Sequence, residues 1–342
     1  MEDHNFSQKY YTIVIDWIMA IPLWIDLLVL SAVIISLYLV MHKFLPVIHN
    51  TVLPFIRSIW GSIKDAFGKN HDWISLKKQY PRLFSFIHTR LDTSHFRGLA
   101  LTLFSLLLLY IIALFGGLVE DVMTHDSIVE IDQSISVWSA TIRTDFFNNF
   151  FWAITQLGRI WVIGFLVAFF SLFLWFSHRR YYLLGLYVSI IGSEILTITG
   201  KYAFARERPS GAFYHEALYS FPSGHATLAV AFFGFVLYTF FQETPNFRSK
   251  LNLFFIALIL IFLIGMSRIY LGVHYVSDVW AGYLIGAMWM VIGIALSEYQ
   301  RSNTSCKKLD LKQSHHLAFF IGMLAFICYL LFLYWHPLTA NY

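Results

Sequence analysis

An all-α bundle of membrane-crossing helices is the fold class the sequence predicts, and three observations carry that expectation. Of the 342 residues, 58% are hydrophobic and 13% charged, against about 25% charged in an average soluble domain. The apolar residues gather in runs close to the ~20 residues a helix needs to cross a ~30 Å hydrocarbon core. Between the runs, basic and acidic loops alternate as they do on the two sides of a membrane. The formal charge of +4 is small and scattered among loops, which argues against a nucleic-acid partner. Cys306 falls in a polar loop and Cys328 in an apolar run, so neither a disulfide nor a metal-ligand spacing is expected. The first ten residues are polar, with no basic stretch leading into a short apolar run and cleavage site. No processed signal peptide is expected, and the first span does the targeting.

Taken in order, residues 11–21 contain Asp16 and stop at Pro22, and read as an interfacial helix or the start of the first span. That span covers about 24–41. Residues 42–98 then carry nine Lys and Arg against three acids, a cytoplasmic composition. Their apolar residues, such as Phe55, Ile56, Ile59 and Ile63, interleave with charge as in amphipathic helices lying on a leaflet. A second span at about 99–119 leads into residues 120–159, where six acids outnumber Arg143 and Arg159. That is an outside loop, and its aromatic run 146–152 suits an interfacial helix. Spans at 160–176 and 181–199 flank the basic turn His178-Arg179-Arg180. Further spans follow at about 226–241, 253–265, 279–296 and 317–335. Eight crossings result, with both termini outside. The expected organisation is an N-terminal helix and basic segment (1–98), a six-helix core (99–297), and a cytoplasmic loop with one extra helix (298–342). No internal repeat of paired halves is visible.

Three polar clusters interrupt the core, at 201–209, 221–225 and 267–278, and the span count places all three on the outer face. Lys201, Arg206 and Arg208 therefore sit where basic residues are disfavoured, which a bound anion would explain. Ser223 and Gly224 open a helix, where free N–H groups and the dipole attract anions, although plain capping uses the same residues. His274 and Asp278 are four apart and share a helical face. A carboxylate on one imidazole nitrogen fixes the tautomer and leaves the other as nucleophile or base, while a His–Asp pair can also simply join helices. His225 supplies a second imidazole suited to protonating a leaving oxygen. Lys201, Arg208 and Arg268 are fixed cations of the kind that stabilise a transferring phosphoryl group. Arg206, Glu207, His215 and Glu216 lie in the outer loop and read as solvated charge, with shaping of the site's entrance as the alternative. Glu194, inside a span, is a functional candidate because a buried carboxylate is costly there.

The pattern Lys-x6-Arg-Pro, Pro-Ser-Gly-His and Ser-Arg-x5-His-x3-Asp resembles that of the type 2 phosphatidic acid phosphatase superfamily. The matching positions are Lys201, Arg208 and Pro209; Pro222, Ser223, Gly224 and His225; and Ser267, Arg268, His274 and Asp278. The resemblance implies a six-helix core and metal-independent, cofactor-free phosphatase chemistry through a phosphohistidine, with vanadate as an inhibitor. It implies His274 as nucleophile, Asp278 as its orienting partner and His225 as acid. Lys201, Arg208, Arg268, Ser223 and the Gly224 amide would bind the phosphate. The expected substrate is a lipid phosphate or diphosphate among membrane lipids: undecaprenyl diphosphate, phosphatidate or phosphatidylglycerol phosphate. The expected location is a bacterial inner membrane, with the site facing the periplasm. A phosphotransferase acting on an acceptor such as lipid A would use the same pocket, and a transporter or silent binding protein is the reading from another class. The sequence does not specify an oligomeric state.

Overall fold

The computed structural model describes residues 35–303, apart from 37, 93–95, 97 and 125, together with Gly322 and Phe326. Among the described residues there are helices and loops but no strand. The chain divides into two compact units, Met1–Trp73 and Ile74–Tyr342.

In the first unit, helix runs from Tyr38 through a π-helical turn at Ile48–Val52 into α1 (Leu53–Lys69). The π turn lies between Pro46 and Pro54, whose missing N–H groups interrupt the regular ladder. Tyr38–Ile63 is long and apolar enough to cross a membrane. The crossing expected at 24–41 falls mostly outside the described residues. α2 (His71–Gln79) carries the boundary between the units.

The second unit opens with α3 (Pro81–Leu91), where proline stands at the first helical position and needs no N–H partner. Then follow α4 (Leu99–Met123), α5 (Ser127–Thr141), α6 (Asp145–Gln156), α7 (Ile160–Phe176) and α8 (Leu183–Phe204). After the loop to Ser223 come α9 (Gly224–Ala229), a π turn at Val230–Gly234, α10 (Phe235–Glu243), α11 (Phe247–Tyr270) and α12 (Val276–Asn303). Five stretches of this unit are single helices long and apolar enough to span a membrane. They are Leu99–Met123, Arg180–Phe204, Gly224–Glu243, Phe247–Tyr270 and Val276–Ser302. A sixth is the pair α6 and α7, which meets the same test only jointly and is bent by 47° at its break. These six correspond to the six-helix core read from the sequence, while the last expected span, 317–335, lies outside the described residues except for two positions.

Short polar caps set the outer helices. Asp126 accepts a hydrogen bond from Ser127 N at the start of α5, and Thr144 from Phe147 N at the start of α6. Helix packing in lipid gains little from the hydrophobic effect and depends on close approach. α8 and α12 form the central pair on that basis: a Cβ added at Gly293 would lie 2.3 Å from the Gly185 carbonyl oxygen. Around this pair the apolar core is filled by Phe170, Phe232, Phe235, Leu174 and Leu186, each at most 1% exposed. Lipid-facing positions such as Ile191, Ile195 and Ile256 are correspondingly exposed.

Candidate active site

The helix directions bring the three polar clusters to one end of the bundle. α8 and α11 deliver Lys201 and Arg268 from their last turns, whereas α9 and α12 present Ser223 to His225 and Asp278 at their first. α8 closes with Ala205 in the left-handed region (φ 44°), which turns the chain sharply toward Arg206 and Arg208. Close packing of α9 on α12 fixes the register, since a Cβ at Gly282 would stand 2.5 Å from Ser223 O. Ser223 N also donates to the Asp278 carbonyl at 2.9 Å.

His274 sits in the short turn between α11 and α12, 2% exposed. Its Nδ1 lies 3.4 Å from Asp278 Oδ2, an ion-pair distance without hydrogen-bond alignment. Its Nε2 lies 3.3 Å from Arg208 Nη1. Burial, followed by the charges of Arg268, Lys201 and Arg208, holds the imidazole well below its usual 6.5. A neutral ring at neutral pH is the form that can attack phosphorus.

Asp278 is fully buried, and each of its oxygens is committed. Oδ2 accepts from Tyr275 N at 2.8 Å, and Oδ1 from Arg206 Nη1 at 2.7 Å. Arg206 also donates to Ser277 Oγ at 2.7 Å and to Asp132 Oδ2 at 2.8 Å, with its guanidinium 4.3 Å from the centre of the Tyr275 ring. Burial disfavours its charged form, but Asp278 and Asp132 more than offset that and raise its pKa. Asp132, on α5, in turn accepts from Ser277 N at 3.0 Å and from the Ser277 hydroxyl. Arg206 therefore does not belong to the solvated loop charge expected of it. Opposite charges brought from α5 and α12 neutralise it, and no local spacing reveals them.

Arg208 is spread over several acceptors: Leu218 O at 2.7 Å, Val273 O at 2.6 Å, Tyr219 O at 3.2 Å and Glu216 Oε2 at 2.8 Å. Arg268, 0% exposed, donates to Thr155 Oγ1 at 2.7 Å and to the Tyr214 hydroxyl and Glu216 Oε1. Glu216 is thus clamped between two guanidinium groups, with Tyr214 Oη donating to it at 3.0 Å. Burial would raise its pKa, yet Arg268 and Arg208 prevail and hold it at about 2. It too departs from the solvated charge expected, whereas Glu207 and His215 are exposed. Lys201, 7% exposed, donates to Tyr219 O at 2.6 Å. The loop 206–219 lines a cleft of about 450 Å³ that includes Arg206, Arg208, Tyr214 and Glu216.

Besides His274 Nδ1, three polar atoms here are buried without a hydrogen-bond partner among the described residues: Ser223 Oγ, His225 Nε2 and Arg268 Nε. The Ser223 side chain does not cap its own helix. Buried polar groups are normally satisfied, so this set of two donors and an imidazole suits an anionic ligand. Glu194 does not join them, since seven residues along α8 put it about 10 Å from Lys201. Thr155 was not singled out by the sequence; its partner Arg268 lies 113 residues away.

Comparison with known proteins bears on this pocket. The model of the PAP2 superfamily matches residues 181–302, which hold all three clusters. Phosphatidylglycerophosphatase B of Bacillus subtilis is 30% identical over 159 residues, covering 46% of this chain and 78% of that protein. A lipid A 1-phosphatase of Rhizobium johnstonii is 35% identical over 118 residues, 31% of this chain and 44% of its own length. The crystal structure of a transmembrane PAP2-type phosphatidylglycerolphosphate phosphatase from Bacillus subtilis superposes with a TM-score of 0.51 at 27% identity. It covers 55% of this chain and 94% of that one. With helices of membrane-spanning length around it, the pocket identifies the chain as a member of the PAP2 superfamily and an integral membrane phosphatase.

Proposed function

We propose that the protein hydrolyses a lipid phosphomonoester or diphosphate at the outward face of a bacterial inner membrane, through a phosphohistidine. The observation that carries this reading is the convergence of Lys201, Arg208 and Arg268 on the buried His274 and the half-buried His225 at one end of the bundle. In the first step His274 Nε2 forms a bond to phosphorus while the bond to the lipid oxygen breaks, and His225 gives that oxygen its proton. Asp278 holds the imidazole and stabilises the charge it gains. In the second step His225 takes a proton from water, which attacks the phosphohistidine and releases orthophosphate. Lys201, Arg208, Arg268, the Ser223 hydroxyl and the Gly224 amide neutralise the equatorial oxygens throughout.

Loop charge supports the outward face, since the opposite ends of the spans carry Arg179, Arg180, Arg248 and Lys250. The substrate class follows from the pocket's place at a bundle end, where a headgroup enters while its tails stay in lipid. The relatives' names favour phosphatidylglycerol phosphate or a phosphorylated glycolipid, with phosphatidate and undecaprenyl diphosphate sharing the chemistry. Residues 99–297 are the phosphatase core in this reading, flanked by membrane-associated segments at 1–98 and 298–342. Purified protein in EDTA, given a panel of these lipids, should release orthophosphate from at least one. His274→Ala should release none, and equal release by both proteins would refute the mechanism.

A further inference from the structure

Glu216 occupies the position an anion would take between Arg208 and Arg268. One carboxylate oxygen faces each guanidinium, and Tyr214 Oη donates to the oxygen on the Arg268 side. A carboxylate and a phosphate present the same paired oxygens to arginine. Glu216 belongs to the loop that lines the cleft, not to a helix, so its departure requires no helix to move. The Nε of Arg268 remains without a partner although its Nη2 meets the carboxylate, and Ser223 Oγ at the start of α9 is also unpartnered, so Glu216 leaves donors of the site unsatisfied.

We infer that Glu216 is a built-in competitor for the phosphate position, displaced each time a substrate phosphate binds, and that it sets the affinity threshold for occupying the site. This inference rests on the phosphatase reading. The cost of displacing the carboxylate is the same for every ligand, so it does not reorder them. It lowers all affinities together. A phosphomonoester or diphosphate with two or more charges still binds, because it gains all three cations and the unpartnered donors. A phosphodiester headgroup, with one charge and two blocked oxygens, gains no more than the resident carboxylate already provides. The bulk phosphodiester lipids bathing the pocket would therefore not hold the site, and the orthophosphate it produces would be held more weakly than without Glu216. Removing an adjacent negative charge in a partly buried site should strengthen anion binding by about tenfold or more.

The test is calorimetric titration of purified wild type, E216Q and E216D with orthophosphate and with dimethyl phosphate, a soluble phosphodiester. E216Q should bind orthophosphate at least about tenfold tighter than wild type, and dimethyl phosphate should become a measurable ligand. E216D, whose carboxylate is withdrawn by one methylene, should fall between them. Equal or weaker binding by E216Q would overturn the inference. If E216Q is too unstable to titrate, its melting temperature should rise more with added orthophosphate than that of wild type. An equal or smaller rise would refute the proposal. The reading of the reaction fails separately, if wild type binds orthophosphate yet releases none from any lipid.

Discussion

At the scale of single residues, the site divides into groups that spacing reveals and groups that only the fold assembles. His274 and Asp278, or Ser223 to His225, were legible because their chemistry lies within four residues of chain. Arg206 and Asp132 were not, because the hydrogen bond between them spans 74 residues and the sequence shows only two loop charges of opposite sign. Thr155 escaped for the same reason, and Glu216 was named only as loop charge or as shaping the entrance, without its two arginine partners. Arg206 holds the Asp278 oxygen that does not face His274, and Asp132 anchors both Arg206 and Ser277. Asp132→Asn should therefore lower kcat by up to about a hundredfold through misalignment, with KM changed far less. Steady-state kinetics on a detergent-solubilised lipid phosphate decide this, and a change confined to KM would contradict it. The pH profile gives a second check. Burial, then Arg268, Lys201 and Arg208, depress His274, and the proposed attack on phosphorus requires its neutral form. The acid limb of kcat/KM should lie below the ordinary imidazole value of 6.5. Removing a cation makes protonation easier, so Arg208→Gln should move that limb to higher pH as well as weaken binding.

At the scale of elements, run length and loop polarity revealed most spans within a few residues, since each depends on local composition. The third crossing was harder. Residues 146–152 were read as suiting an interfacial helix and 160–176 as a separate span, whereas in the structure α6 and α7 meet the length and hydropathy test only together and are bent by 47° at their break, the geometry of a broken span or a re-entrant loop. The break has a purpose that periodicity could not show. It brings Thr155 to Arg268 and sets Gly158 against the His225 ring, where an added Cβ would stand 3.0 Å from Cδ2. The α9–α12 contact is a second element-level feature. Cβ atoms at Gly282 and Gly286 would lie 2.5 Å from Ser223 O and Thr227 O respectively. Both obstacles are backbone, which cannot rotate aside. Gly286→Ala should cost about 1–3 kcal/mol of stability by overpacking, readable as a lowered melting temperature in detergent. Gly282→Ala should in addition reduce kcat more than Gly286→Ala does, because its obstacle is Ser223, which belongs to the proposed phosphate site. Equal kcat losses would show that the contact supports the fold without aligning the site.

For the whole molecule, the alternation of loop charge gives an expected orientation before any helix is placed, and the structure adds that the three clusters share one bundle end. The first and last expected spans could not be followed in the same way, since they fall largely outside the described residues. With Cys306 and Cys328 replaced by Ser, cysteines at Ser210 and at Pro245 should label from opposite sides of intact cells or vesicles. Ser210 should be the outward one, and the reverse result would turn the site toward the cytoplasm. The proposed reaction depends on one covalent event at one atom, His274 Nε2. Wild type mixed with a lipid carrying a radiolabelled phosphate and quenched in base within the first turnovers should retain base-stable, acid-labile label. Mass spectrometry should place that label on the peptide containing His274. Orthophosphate release at full rate with no label at His274, or turnover by His274→Ala, would contradict it.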